Sequence, residues 1–175
     1  MYTRKNLGLG LLTVLSLSLP GLAQGQDPTG PAASAAMERV KRNQYAVKVV
    51  CGKGEVEGEL GGVVAPGQYF TAVNVHNPSM KDVAMRKKFA VALPNQKPGP
   101  ISKWIEAKLG PDQAFEVDCP ELYKIMGVPQ GRLLKGFLVI ETLAELDVVA
   151  VYTAAGPQNL VTGLATERVP RRVVP

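Results

Sequence analysis

Histidine occurs once in this 175-residue chain, at position 76, and tryptophan once, at 104; cysteine occurs twice, at 51 and 119. That scarcity removes whole classes of chemistry. A structural zinc site wants four ligands, usually in close pairs. Cys51, Cys119 and His76 are too few, and the chain has no CxxC or HxxxH spacing. It also lacks the EF-hand and DxDxDG-type spacings that cradle calcium. The lone histidine allows one Ser–His pair, with Ser79 across a proline turn. Such a pair needs a carboxylate to hold the ring and an oxyanion hole, and nothing around Asn77-Pro78 resembles a nucleophile elbow. Gly52–Gly62 is rich in glycine but holds no GxxxxGK[ST], and its glutamates repel phosphate. No catalytic residue, metal or cofactor is assigned.

Long apolar runs are also missing after the first two dozen residues. Arg4 and Lys5 precede the apolar stretch Leu7–Leu19, and Pro20-Gly21-Leu22-Ala23 places small residues before a cut after Ala23. This is the pattern of a signal peptide over residues 1–23, too short for a membrane span of about 20 residues. The alternative is a retained N-terminal anchor. The expected destination is outside the cytoplasm, in the periplasm or the medium. Cleavage leaves 175 − 23 = 152 residues, enough for one domain. Removing two basic residues lowers the charge from +5 to a mild +3. Nucleic acid is therefore not an expected partner. In an oxidising compartment an even cysteine count favours a bridge, so Cys51 and Cys119 are expected to pair.

Residues 24–44 read as a Pro/Gly-rich disordered linker and a basic lead-in able to form a helical turn. From 45 to 170 short alternating segments follow one another. Tyr45, Val47, Val49 and Cys51 share one face of a strand; Tyr69, Thr71, Val73 and Val75 share a face of the next, Gln68–Asn77. Val83–Leu93 turns Phe89, Val91 and Leu93 inward, Arg86 and Lys88 outward. Lys87 lands on the inward register and must reach an edge or snorkel out. Pro94–Pro100 reads as a stiff loop, Ile101–Leu109 as one strand, Ala114–Cys119 as another, and a short paired piece fits Val56–Leu60. Asp118-Cys119-Pro120-Glu121 is a capping-box pattern, so Glu121–Met126 should be helical and stop at Gly127. Phe137–Ile140 and Val148–Tyr152 are the densest apolar runs, read as a central hairpin turning near Leu143–Glu145, with Val148–Tyr152 covered on both faces. Leu160–Val169 is a last strand, and residues 171–175 a proline-bounded tail. Seven or eight strands with one short helix predict an all-β fold, an antiparallel immunoglobulin-like β-sandwich.

Five residues are candidates for binding. Trp104 lies among polar neighbours, where an indole often anchors a ligand. Asn74 and His76 end a strand side by side, and Arg86 and Lys88 belong to the only three-residue basic run, a contact for an anionic surface. Carboxylates gather around one strand (Asp112, Glu116, Asp118) and around the hairpin turn (Glu141, Glu145, Asp147), where an acid–base pair would need a fixed separation across a cleft. The order NVHNP, basic strand, Pro-rich loop, FEVDC, short helix, KGFLVIET, LDVVAVYTA resembles a secreted bacterial family of uncharacterised domains over residues 45–170. In architecture alone it resembles the β-sandwich of the sensory rhodopsin transducer. No binding motif carries over, and fold does not transfer function. The expected function is an exported, non-catalytic binding or structural module, a monomer or small homo-oligomer, with an unknown protein or envelope polymer as partner. The alternatives are a small secreted hydrolase using carboxylates or Ser79/His76, and a binder of an anionic envelope polymer.

Overall fold

Alternation in the sequence becomes alternation in burial wherever a strand crosses the core. In a computed structural model describing residues 40–54, 64–156, 158 and 160–175, Tyr45, Val47, Val49 and Cys51 are all at most 1% exposed. They lie on β1 (Arg42–Gly54). Thr71, Val73 and Val75 bury the matching face of β2 (Gly67–His76), and Val83, Met85, Lys87 and Phe89 that of β3 (Val83–Ala92). Then come β4 (Pro98–Ile101), β5 (Ile105–Leu109), β6 (Ala114–Val117) and α1 (Cys119–Met126), followed by β7 (Leu134–Thr142), β8 (Asp147–Ala155), β9 (Val161–Arg168) and β10 (Arg172–Val174). The fold is mainly antiparallel β with one short helix. It has ten strands, where seven or eight were expected, linked in the order β4-β3-β7-β1-β2-β8-β9, with β10 on β1, β5 on β3 and β6 on β2. Glu38–Pro175 form one compact unit. The leader and the Gln24–Ala36 linker lie outside the described residues, as does the Val56–Leu60 piece.

β1 is the strand that joins everything. Asn43–Cys51 run antiparallel to β7, and Gly52–Gly54 then pair with Gly67–Tyr69 of β2. The change of partner happens at Gly52, whose φ of +92° is left-handed backbone; a Cβ there would sit 2.3 Å from the Arg132 carbonyl oxygen. This is a position that only glycine fills without strain. Thr71 fastens the corner: its hydroxyl donates to the Val50 carbonyl at 2.9 Å and accepts the Val50 N–H at 3.0 Å. Beside it, Cys51 and Cys119 form a disulfide with Cα atoms 5.7 Å apart.

Several local expectations are corrected. β7 and β8 are not a hairpin. β7 pairs with β1 and β3, β8 with β2 and β9, so the intervening Leu143–Leu146 segment carries the chain from one group of ladders to the other. A tight hairpin turn wants Gly or Asn at left-handed positions, and this segment has neither; Tyr45 Oη instead accepts the Leu146 N–H at 2.8 Å. Val149 and Val151, expected to be covered, are half-buried, flanked in register by Asn74 and Arg168, and by Ala72 and Thr166. The expected strand Ile101–Leu109 is broken into β4 and β5, and β4 takes in Pro98–Pro100 from the expected loop. β1 begins at Arg42, inside the expected lead-in. The expected tail forms β10, pairing Arg172–Val174 with Arg42–Gln44. Arg86 and Lys88 lie on β3, an interior strand between β7 and β4/β5.

α1 follows its sequence signals. Asp118 Oδ1 accepts the Glu121 N–H at 3.0 Å, and Gly127 closes the helix in left-handed backbone with φ of 64°. Glu121 does not complete the reciprocal capping bond. Its carboxylate meets Lys87 Nζ at 2.7 Å, where the side chain of Lys87 is 9% exposed and its ammonium lies 4.9 Å from the Phe115 ring centroid. Lys87 neither snorkels to solvent nor sits at an edge, because the helix brings it a carboxylate.

Candidate functional site: a basic, aromatic sheet face

The break between β4 and β5 is what places the single tryptophan. Ser102 occupies the gap, donating its N–H to the Phe89 carbonyl at 2.9 Å and accepting the Phe89 N–H on its hydroxyl at 2.9 Å. The ladder of β3 is satisfied by one residue's backbone and side chain together, a bulge that redirects the chain. Trp104, half-buried, comes to lie against the outward side chains of β3. The Arg86 guanidinium and the Lys88 ammonium are each 4.3 Å from its ring centroid. A cation over an indole face is attracted by the ring quadrupole.

Register extends this cluster across three strands. Arg86 is opposite Glu141 of β7, and Glu141 is opposite Gln44 of β1. Arg86 donates to Glu141 Oε2 from Nε at 3.0 Å and from Nη2 at 2.7 Å, and Gln44 donates to Oε1 at 2.9 Å. Burial alone would raise the pKa of Glu141; the bonds from Arg86 and Gln44 outweigh it, and the net shift is downward. Glu141 stays ionised and holds Arg86 beside the indole. Further along, Lys48 of β1 faces Phe137 of β7, its ammonium 4.9 Å from the ring centroid. Lys135 follows on β7, two positions on and on the same face. Burial, then the nearby Lys48 charge, lowers its pKa. Among the described residues no carboxylate lies within ion-pairing distance of Lys48, Lys88 or Lys135. One face of β3, β7 and β1 thus presents Arg86, Lys88 and Lys48, with Trp104 and Phe137 between them; Lys135 shares the face but is only 8% exposed.

Three of the five expected binding residues, Trp104, Arg86 and Lys88, come together here. Asn74 and His76 lie elsewhere, on β2. His76 Nε2 is 3.0 Å from Asp112 Oδ1 and its Nδ1 is 3.5 Å from Asp147 Oδ2. The Asp112 bond chiefly, opposed by desolvation and aided by Asp147, raises the His76 pKa. Ser79 Oγ donates to Asn77 Oδ1 at 2.7 Å, and no hydrogen bond joins it to His76. Three of the carboxylates have other partners: Asp118 caps α1, Glu145 meets Arg171 at 3.2 Å, and Asp147 meets Arg168 at 2.7 Å. Sequence reasoning missed Lys48, Lys135, Phe137, Glu141 and Gln44 as members of one face. Alternation put Lys48 outward, but only strand register reveals that it opposes Phe137.

No protein-family model and no curated protein matches this chain. Among solved structures it is similar to the crystal structure of Thermotoga maritima 1070, at 14% identity and a TM-score of 0.48, over 77% of this chain and 96% of that one.

Proposed function

We propose that this protein is an exported, non-catalytic binding module whose basic sheet face takes an extended anionic polymer of the cell envelope. The observation that carries the reading is the pair of cations on Trp104, continued on the same face by Lys48, with no carboxylate partner for Lys88 or Lys48 among the described residues. An anionic chain lying across β3, β7 and β1 meets these charges in succession, while the aromatic rings supply flat apolar contact. The ten-stranded sheet, folded over at β1, is read as a two-layer sandwich of which this is one outer surface. Export agrees with the Cys51–Cys119 bridge and with the resemblance to secreted bacterial domains. Among the described residues no helix is long and apolar enough to cross a membrane. The Ser79/His76 form of the hydrolase alternative lacks the contact between nucleophile and base, since Ser79 Oγ donates to Asn77 while His76 meets Asp112.

Trp104 is the only tryptophan, so intrinsic fluorescence reports on the site directly. Titration of the exported protein with polygalacturonate is expected to change its emission, with affinity falling steeply between low and physiological salt. Neutral dextran should leave the emission unchanged. Lys88→Glu and Lys48→Glu should each weaken binding about fivefold, the equivalent of about 1 kcal/mol for an exposed ion pair. Unchanged emission with polyanions at low salt, or binding indifferent to both substitutions, would overturn the reading.

A further inference from the structure

β9 ends the path of strands, so one of its two edges has no neighbour among the described residues. All eight residues, Val161–Arg168, are exposed, on both faces of the sheet. An edge strand ordinarily rests one face on the core. Natural edges are also guarded by proline, lysine or shortness, and the other edges here follow that rule. β4 carries Pro98 and Pro100, β5 carries Glu106 and Lys108, and β6 and β10 have four and three residues. β9 has neither proline nor lysine, and its charges are confined to Glu167 and Arg168 at one end.

The exposed apolar side chains of this half of the sheet point to what covers the edge. Phe70 of β2 is opposite Thr153 of β8, and Thr153 is opposite Leu164 of β9. The three therefore form one row on one face, running straight to the free edge. Phe70 is 48% and Leu164 68% exposed. We infer that β9 pairs with β9 of a second copy of this chain, antiparallel about a two-fold axis at Leu164. A two-fold perpendicular to the sheet keeps each face on its own side, so residues meeting across the new ladder share parity. With Leu164 opposite its own copy, Gly163 meets Ala165 and Thr162 meets Thr166; beyond Thr162 the strand is irregular, its register on β8 shifting between Ala154 and Ala155. No charge meets its like, whereas a parallel stack would set Glu167 on Glu167 and Arg168 on Arg168. The apolar row becomes continuous through both copies.

Sedimentation equilibrium of the oxidised, exported protein is expected to give twice the chain mass. Leu164→Lys should give the single-chain mass with an unchanged far-ultraviolet spectrum. Leu143→Lys, exposed in the β7–β8 connection, should remain a dimer. Register is read by cross-linking: Leu164→Cys should form a disulfide with its own copy, since directly opposed Cβ atoms are about 5 Å apart, and Leu160→Cys should not. A wild-type monomer at about 100 µM, where a micromolar dimer is nearly complete, overturns the inference. So does a dimer that survives Leu164→Lys, or one that cross-links through Leu160→Cys and not through Leu164→Cys.

Discussion

Removing the Cys51–Cys119 bridge is the perturbation whose size follows most directly from the structure. The two residues are 68 apart in sequence. Releasing a loop of that length returns chain entropy to the unfolded state worth about 4 kcal/mol at 25 °C, against a total of about 5–15 kcal/mol for an ordinary domain. A unit of this size loses about 3–4 °C per kcal/mol, so Cys51→Ala should lower the melting temperature by about 15 °C. The two cysteines are not equivalent. The Thr71 N–H donates to Cys119 Sγ at 3.2 Å inside the core. Cys51→Ala leaves that acceptor as a thiol, whereas Cys119→Ala leaves a buried donor unmet, a further loss of about 1 kcal/mol. The double variant should match Cys119→Ala, because the loop is already open. Calorimetry of the variants without reductant measures the order. Hydrogen exchange should show the lost protection concentrated in α1, which the bridge ties to β1. A Cys51→Ala variant melting within about 5 °C of wild type would refute the loop-entropy reasoning. Equal losses from the two single variants would refute the role given to Cys119 Sγ.

Two further outcomes are expected. The His76 pKa is raised above 6.5, chiefly by the Asp112 bond, so its contribution to stability is complete below 6.5 and disappears as pH rises through the higher folded value. Proton NMR of the single histidine should place its midpoint above 6.5 and Asp112→Asn should bring it down; a wild-type midpoint at or below 6.5 counts against the pairing. Glu121→Ala strands the nearly buried Lys87 ammonium against Phe115 and should cost about 1–3 kcal/mol, less than a fully buried pair because Glu121 is one-third exposed. Lys87→Met/Glu121→Leu should recover most of that loss in urea denaturation; additive losses would show that the two side chains do not act together.

What was legible in the sequence is what alternation and local geometry decide. The inward faces of β1 and β2 follow from Tyr45–Cys51 and Tyr69–Val75, and the helix cap from Asp118, because each depends on residues a few positions apart. Partner choice depends on residues a hundred positions apart, and there the reading failed. Phe137–Ile140 and Val148–Tyr152 are adjacent in sequence and strongly β-forming, so a hairpin was the natural pairing. Each is a central strand with two other neighbours, and the lack of Gly or Asn in Leu143–Leu146 was the one local sign of it. The break at Ser102 was hidden because Ile101–Leu109 alternates without interruption. A serine supplying both ladder bonds to Phe89 leaves no trace in that pattern, and without the break Trp104 could not be placed against Arg86 and Lys88. Lys87 was legible as a conflict, and its resolution by Glu121 required knowing where α1 packs.

The pairing of β10 with the start of β1 sets how this fold responds to being pulled. Arg42 is opposite Val174 and Gln44 opposite Arg172, so the chain enters and leaves at the same end of one antiparallel ladder. Tension between these two points acts across the strands, along the direction of their hydrogen bonds, and opens them one pair at a time. The β1–β10 ladder parts first, and β1 then peels from β7, residue by residue, from Asn43 toward Cys51. There the disulfide stops the process: the loop between Cys51 and Cys119 cannot be drawn out however large the force. Each of its residues would otherwise add about 3.5 Å of length. Stretched between Arg42 and Val174, the protein can give up β1 and the strands that follow Cys119, while β2 to β6 stay enclosed behind a covalent stop.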